Sequence, residues 1–290
     1  MLKQRLITAF TLGPLSMWAI LALPSDIFAL IIAVFMVMGA WEWARFTGAI
    51  TPFYRVLYCG VMVLILLAIW SVMKTHAVII VDILVLALLW WCVALLFVYN
   101  YPKFSGVWGN KPVIALSGYF VLIPCWLALV SLHSLPGFGS GYTLFVIMLM
   151  WFADSAAYFG GRQWGKHKLA QQVSPGKTRE GVYAALFVSV IFVLIAGYLL
   201  GIGHSGRETW MFFMGISLFV VLVSVIGDLT ESMFKRQSGV KDSGSLLPGH
   251  GGVLDRIDSL TAAAPVFTLA LMWSKGQLGI PIASLQDIIQ

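Results

Sequence analysis

The chain has 290 residues, 60% hydrophobic and 10% charged, with a formal net charge of +6 and a mean hydropathy of +0.92. A soluble domain is about 45–50% apolar and about 25% charged, so this composition excludes one and points to an integral membrane protein. Lipid offers the backbone no hydrogen bonds, so a chain with many apolar runs of near-spanning length is expected to be all-α and polytopic.

In chain order the runs cover residues 6–23, 27–43, 56–73, 77–99, 113–132, 142–159, 182–200 and 210–226. A last run starts near Ile257 or Leu260 and ends at Trp273. Nine transmembrane helices are expected, in a single membrane domain over residues 1–290. Pro24, Ser25 and Asp26 separate the first two runs. Lys3 and Arg5 precede the first run, but no small-residue cleavage site ends it, so no cleavable signal peptide is expected. Cys59, Cys92 and Cys125 lie in or beside apolar segments without disulfide or metal spacing and read as small core residues.

Placing the 18 Lys and Arg on alternate sides of nine spans puts 15 on one side and Lys74, Arg207 and Lys275 on the other. The positive-inside rule makes the first side cytoplasmic, with the N-terminus inside and the C-terminus outside. The basic balance is thus a topology signal, and no aromatic–basic interleaving argues for nucleic acid. Nine of the 15 inside bases fall in two segments, residues 160–181 and 227–259. The first carries Gly160, Gly161, Gly165 and Gly176 among its bases, a composition that suits an anion site. It is not a P-loop, because the upstream glycine required before Gly176-Lys177-Thr178 is replaced by Gln171.

The second segment holds Asp228, Glu231, Asp242, Asp255 and Asp258 with Lys235, Arg236, Lys241 and Arg256. Residues 260–273 are too few to span about 30 Å, so the last helix must begin near Asp255. That places Asp255 and Asp258 in its first turn, three apart and on one face. Pro265 is expected to kink this helix. Asp228 directly follows the eighth run, so three carboxylates converge on the cytoplasmic boundary. Acids there are costly and mark function, and a close cluster calls for a cation such as Mg²⁺. The alternative is that Arg256 and the lysines simply neutralise them as helix-end charges. His250 sits in a glycine-rich turn with Gly251 and Gly252, where backbone can approach a ligand. Asp154, near the inner end of the sixth run, belongs on the same side.

The run from Ser232 to Asp258 contains Ser232, Lys235-Arg236, Lys241-Asp242, Pro248, His250-Gly251-Gly252 and Asp255-Arg256 followed by Asp258. It resembles the signature of the phosphatidate cytidylyltransferases, or CDP-diacylglycerol synthases, at every fixed position. Asp154–Tyr158 and Ser174–Gly181 also look like segments of this family, and Gly176 stands where the family often has a second lysine. The resemblance, which covers the whole chain and is close to bacterial members, implies a multi-pass inner-membrane enzyme with its site facing the cytoplasm. It implies that phosphatidate and CTP give CDP-diacylglycerol and pyrophosphate in phospholipid biosynthesis. It implies Mg²⁺ on Asp228, Asp255 and Asp258, leaving room for a second cation, with Lys235, Arg236, Lys241, Asp242 and Arg256 as further catalytic residues. Ser174, Lys177, Thr178 and Arg179 would form a phosphate-facing wall, with His250, Gly251 and Gly252 also at the substrate. Partners are the two substrates and the bilayer, and a homodimer is left open. The aspartate spacing of the CDP-alcohol phosphotransferases does not occur. An ion-coupled transporter would place its acids at mid-membrane on broken helices, not at one face.

Overall fold

A computed structural model describes residues 13–48, 51–73, 75–76, 78–202, 206–244 and 251–274. The helices are α1 (Gly13–Ala22), α2 (Ser25–Phe46), α3 (Pro52–Met73), α4 (Val78–Tyr99), α5 (Ser105–Trp108), α6 (Lys111–His133) and α7 (Gly139–Trp164). A two-stranded antiparallel hairpin, β1 (Lys168–Ala170) and β2 (Ser174–Thr178), leads into α8 (Arg179–Leu199), α9 (Arg207–Gln237) and α10 (Leu254–Ser274). Among the described residues eight helices are long and apolar enough to cross a membrane, an all-α polytopic architecture. The first expected run is described only from Gly13, as α1. The N- and C-terminal residues that would fix orientation, with Lys3, Arg5, Lys74 and Lys275, lie outside the described residues.

The most buried span is α6, which packs against α2, α4, α7 and α10. Asn110 starts it by accepting from the Val113 N–H at 3.1 Å, satisfying one donor of the first turn. Two buried tryptophans tie α2 to α6: Trp43 Nε1 donates to the Ile114 carbonyl at 2.7 Å, and Trp126 Nε1 to the Ala29 carbonyl at 2.9 Å. An indole N–H in an apolar interior needs such a partner. The outward faces of α3 and α4 expose Leu, Val and Phe, as a lipid-facing surface should. Of the cysteines, Cys125 is buried, Cys59 half-buried and Cys92 exposed on α4, so the expectation of core packing does not hold for Cys92.

Helix α9 departs most from the hydropathy reading. It continues past Ile226 to Gln237. Asp228 lies 21 residues from Arg207, about 32 Å along the axis and close to one hydrocarbon thickness. Its last three turns therefore carry Asp228, Glu231, Ser232, Lys235 and Arg236 at the edge of the apolar layer. The connection between Asp228 and Asp255 is accordingly shorter than the apolar runs suggest, with only residues 238–253 outside the two helices. Gly227 brings α9 against α10: a Cβ there would lie 2.4 Å from the Asp258 carbonyl oxygen and 3.1 Å from Ala262. The missing side chain at Gly227 sets Asp228 beside the first turns of α10, a close approach of the kind small residues give membrane helices.

The α7–α8 pair is built the same way. A Cβ on Gly160 would overlap Ala184, and one on Gly161 would lie 2.9 Å from Thr178 Oγ1. Thr178 itself caps α8, its hydroxyl accepting from the Gly181 N–H at 3.2 Å.

Candidate active site

Five carboxylates and two lysines meet where the C-terminal ends of α7 and α9, the N-terminal end of α10 and strand β2 come together. Lys177 reaches from β2 to Asp228 on α9, Nζ to Oδ2 2.5 Å, with both side chains about three-quarters buried. Ser232, one turn on, donates to Asp228 Oδ1 at 3.3 Å. Asp258, in the first turns of α10, is near enough to feel the charges of Asp228, Glu231, Lys177 and Asp154. Asp154 on α7 accepts from the Ser259 hydroxyl at 3.2 Å, which binds α7 to α10 at the same level.

A second pair stands beside the first. Lys235 Nζ donates to Asp255 Oδ1 at 2.6 Å and lies 3.4 Å from Glu231 Oε1. Glu231 is 3% exposed, and neither of its oxygens has a hydrogen bond among the described residues. With Thr230 and Asp258 it lines a small cavity that admits a water centre over about 10 Å³. Asp255 is fully engaged. Its Oδ2 accepts from the Ser243 N–H at 3.1 Å, the Ser243 hydroxyl at 2.8 Å and the Gly252 N–H at 3.0 Å. Such a carboxylate holds Ser243 and Gly252 onto the start of α10, where negative charge also suits the helix dipole.

The sequence expectations divide accordingly. Asp228, Asp255, Asp258, Lys177 and Lys235 come together, with Asp154 beside them. Arg236 instead donates from Nε to the Val173 carbonyl at 3.2 Å, pinning the end of α9 to the hairpin. Lys241, Asp242, Arg179 and Arg256 are exposed on the same end of the bundle, and Ser174 pairs with Ala170 in the hairpin. Thr178 is buried, with its oxygen turned into the helix cap rather than outward. Gly251 takes a positive φ of 82°, and Gly252 serves the Asp255 carboxylate. His250 lies outside the described residues. Asp255 and Asp258 share the first turns of α10 but make different contacts. Among the described residues no three acidic, histidine or cysteine side chains converge on a point that could hold a metal ion.

Two acids were not among the candidates. Glu231 reads as a helix charge until its burial is seen. Glu42 sits in α2, 1% exposed, and its Oε2 accepts from the Leu254 N–H at 2.9 Å. In sequence only its flanking tryptophans mark it, and nothing there links it to a residue more than 200 positions away.

A sequence model of the cytidylyltransferase family matches residues 3–273. The chain belongs to this family. Relatives within it include the phosphatidate cytidylyltransferase of Pseudomonas aeruginosa, 46% identical over 276 residues, which are 95% of this chain and 98% of that one. The counterpart in Haemophilus influenzae is 40% identical over 285 residues, 92% of this chain and 98% of its own length. A shorter likeness, 42% over 136 residues, links 47% of the chain to the phosphatidate cytidylyltransferase of Staphylococcus aureus. As a cytidylyltransferase-family member, the chain has its ionic cluster at one end of an apolar bundle.

Proposed function

We propose that the protein transfers the cytidylyl group of CTP to phosphatidate, releasing pyrophosphate and forming CDP-diacylglycerol. The observation that carries this, beside the family, is the paired arrangement Lys177–Asp228 and Lys235–Asp255 at the boundary end of the spans. A phosphate monoester with a second pKa near 6 is already largely a dianion at neutral pH, so the lipid supplies its own nucleophile. Its oxygen bonds to the α-phosphorus of CTP while the bond to the β-phosphate oxygen breaks. Such a reaction asks for positioning and charge neutralisation rather than a protein nucleophile.

In this reading the two lysines are held on carboxylates until substrate arrives. The triphosphate and the lipid phosphate then draw the ammonium groups of Lys177 and Lys235. Asp228 and Asp258, with Asp255 beside them, are left facing a polyanion. Oxygen donors of this kind fit Mg²⁺, which is held by one or two carboxylates plus substrate phosphates rather than by a closed protein cage. Glu231, buried 3.4 Å from the Lys235 ammonium, would add a further carboxylate beside them. When bound, the ion would neutralise charge developing on the phosphates. Arg179, Lys241 and Arg256, exposed at the same end of the bundle, would add further cations for the phosphates. The site faces the cytoplasm, where the nucleotide is, in the inner membrane of a bacterial cell.

The cation assignment has a direct check. Purified protein in lipid nanodiscs, given phosphatidate and CTP, is expected to lose product formation in a chelator and regain it on addition of Mg²⁺. Full activity in the chelator would contradict a metal on these aspartates.

A further inference from the structure

The structure assigns Glu42 a positioning role in the proposed transfer: we propose that its carboxylate sets the orientation of Asp255 through Ser243 and the first turn of α10. The inference rests on the function proposed above. Glu42 Oε2 accepts from the N–H of Leu254, the first residue of α10, at 2.9 Å, and lies 3.2 Å from the Ser243 hydroxyl. One turn further along α2, Arg45 donates from Nη1 to the Ser243 carbonyl at 2.8 Å. Ser243 is fully buried and is therefore gripped by α2 on two sides. It passes that constraint on, because its N–H and hydroxyl both point at Asp255 Oδ2, at 3.1 and 2.8 Å. Its single hydroxyl proton serves either carboxylate, so Glu42 and Asp255 are joined through one group.

The glycines beside this contact are shaped to it. A Cβ on Gly244 would lie 2.0 Å from Glu42 Oε1, and a Cβ on Gly252 would lie 2.5 Å from Oε2. Two backbone segments thus leave a slot that the Glu42 carboxylate fills together with the Ser243 hydroxyl. Burying a carboxylate is costly, and a site that needed only filling would be served by an apolar side chain. Glu42 Oε1 even has no hydrogen bond among the described residues. The arrangement is therefore explained by what Oε2 orients, not by the stability it adds. Glu42 touches no reacting atom and acts through Ser243 and Asp255.

Steady-state kinetics on purified variants in nanodiscs test this. Glu42→Ala is expected to lower kcat about 10²-fold, the loss typical of a small misplacement of a catalytic group. KM for CTP should stay within about threefold of wild type, since the nucleotide contacts are untouched. Glu42→Gln keeps an oxygen acceptor for Leu254 and Ser243, and is expected to retain activity within about fivefold of wild type, because the role is orientation through hydrogen bonds. Gly244→Ala pushes on the same carboxylate. It should impair wild type strongly yet cost less than about twofold when added to Glu42→Ala, because coupled sites are non-additive. Glu42→Ala activity near wild type, a Gln variant as poor as Ala, or a Gly244→Ala loss unchanged in the Glu42→Ala background would each overturn the proposal. Should Glu42→Ala fail to accumulate, Ser243→Ala removes the hydroxyl that links the two carboxylates instead, and kcat within about twofold of wild type would overturn the proposal. A wild-type protein without transfer activity would overturn the underlying function instead.

Discussion

Asp255→Asn is expected to lower cytidylyl transfer by at least about 10³-fold while the protein still inserts and stays folded. The size follows from what the carboxylate does. Its Oδ2 holds Ser243 and Gly252, and its Oδ1 holds the Lys235 ammonium at 2.6 Å. An asparagine can keep the first role with its amide oxygen. Its NH₂ then faces Lys235, donor against donor, and leaves that ammonium with Glu231 alone at 3.4 Å. Losing one preorganised charge partner in a dry site costs on the order of 10²–10³ in turnover, and here a charge proposed to hold the metal goes with it. Added Mg²⁺ should restore little. Turnover within a few-fold of wild type, measured per folded molecule, would contradict the role given to Asp255.

Lys177→Met is expected to reduce turnover by about 10²–10³-fold, with membrane abundance unchanged. The methionine keeps most of the stem and removes the charge. Lys177 lies on the hairpin, not in a span, so insertion does not depend on it. Asp228 then loses its ammonium partner at 2.5 Å, and the incoming phosphates lose a cation. Lys177→Arg keeps the charge in a wider, planar head and should fall between the two. Near-normal turnover of Lys177→Met in the labelled-nucleotide assay would mean the hairpin lysine is only a helix-end neutraliser.

Much of this site is legible in the residues, because charge is scarce in a chain of this composition. Asp228, Asp255 and Asp258 stand out at the ends of apolar runs, and the too-short last run already requires α10 to begin near Asp255. What escapes is what hydropathy does not measure. The segment after Ile226 looks like a loop because it is charged. Its Leu, Glu, Met, Lys, Arg and Gln are nonetheless good helix formers, with bases placed at the C-terminal end, and α9 runs on to Gln237. That extension makes Glu231 and Lys235 neighbours one turn apart and buries them. Thr178 before α8 carried a capping signal that competed with its reading as a phosphate ligand. Glu42 carried none, because its partners Ser243 and Leu254 are distant in sequence and meet it only through the packing of α2 against α6 and α10. Gly252 looks like a ligand-approach glycine, and the structure gives it, with Gly244, a carboxylate of the chain itself to accommodate.

The central claim is a specific bond exchange at this ionic cluster, and the most direct test follows two phosphorus labels. Purified protein in nanodiscs containing phosphatidate is given CTP labelled either at the α-phosphate or at the γ-phosphate. The account predicts that the α label enters the lipid fraction as CDP-diacylglycerol and the γ label leaves in water as pyrophosphate, both abolished by Asp255→Asn. Label from the γ-phosphate in lipid, or neither label leaving CTP, would contradict it.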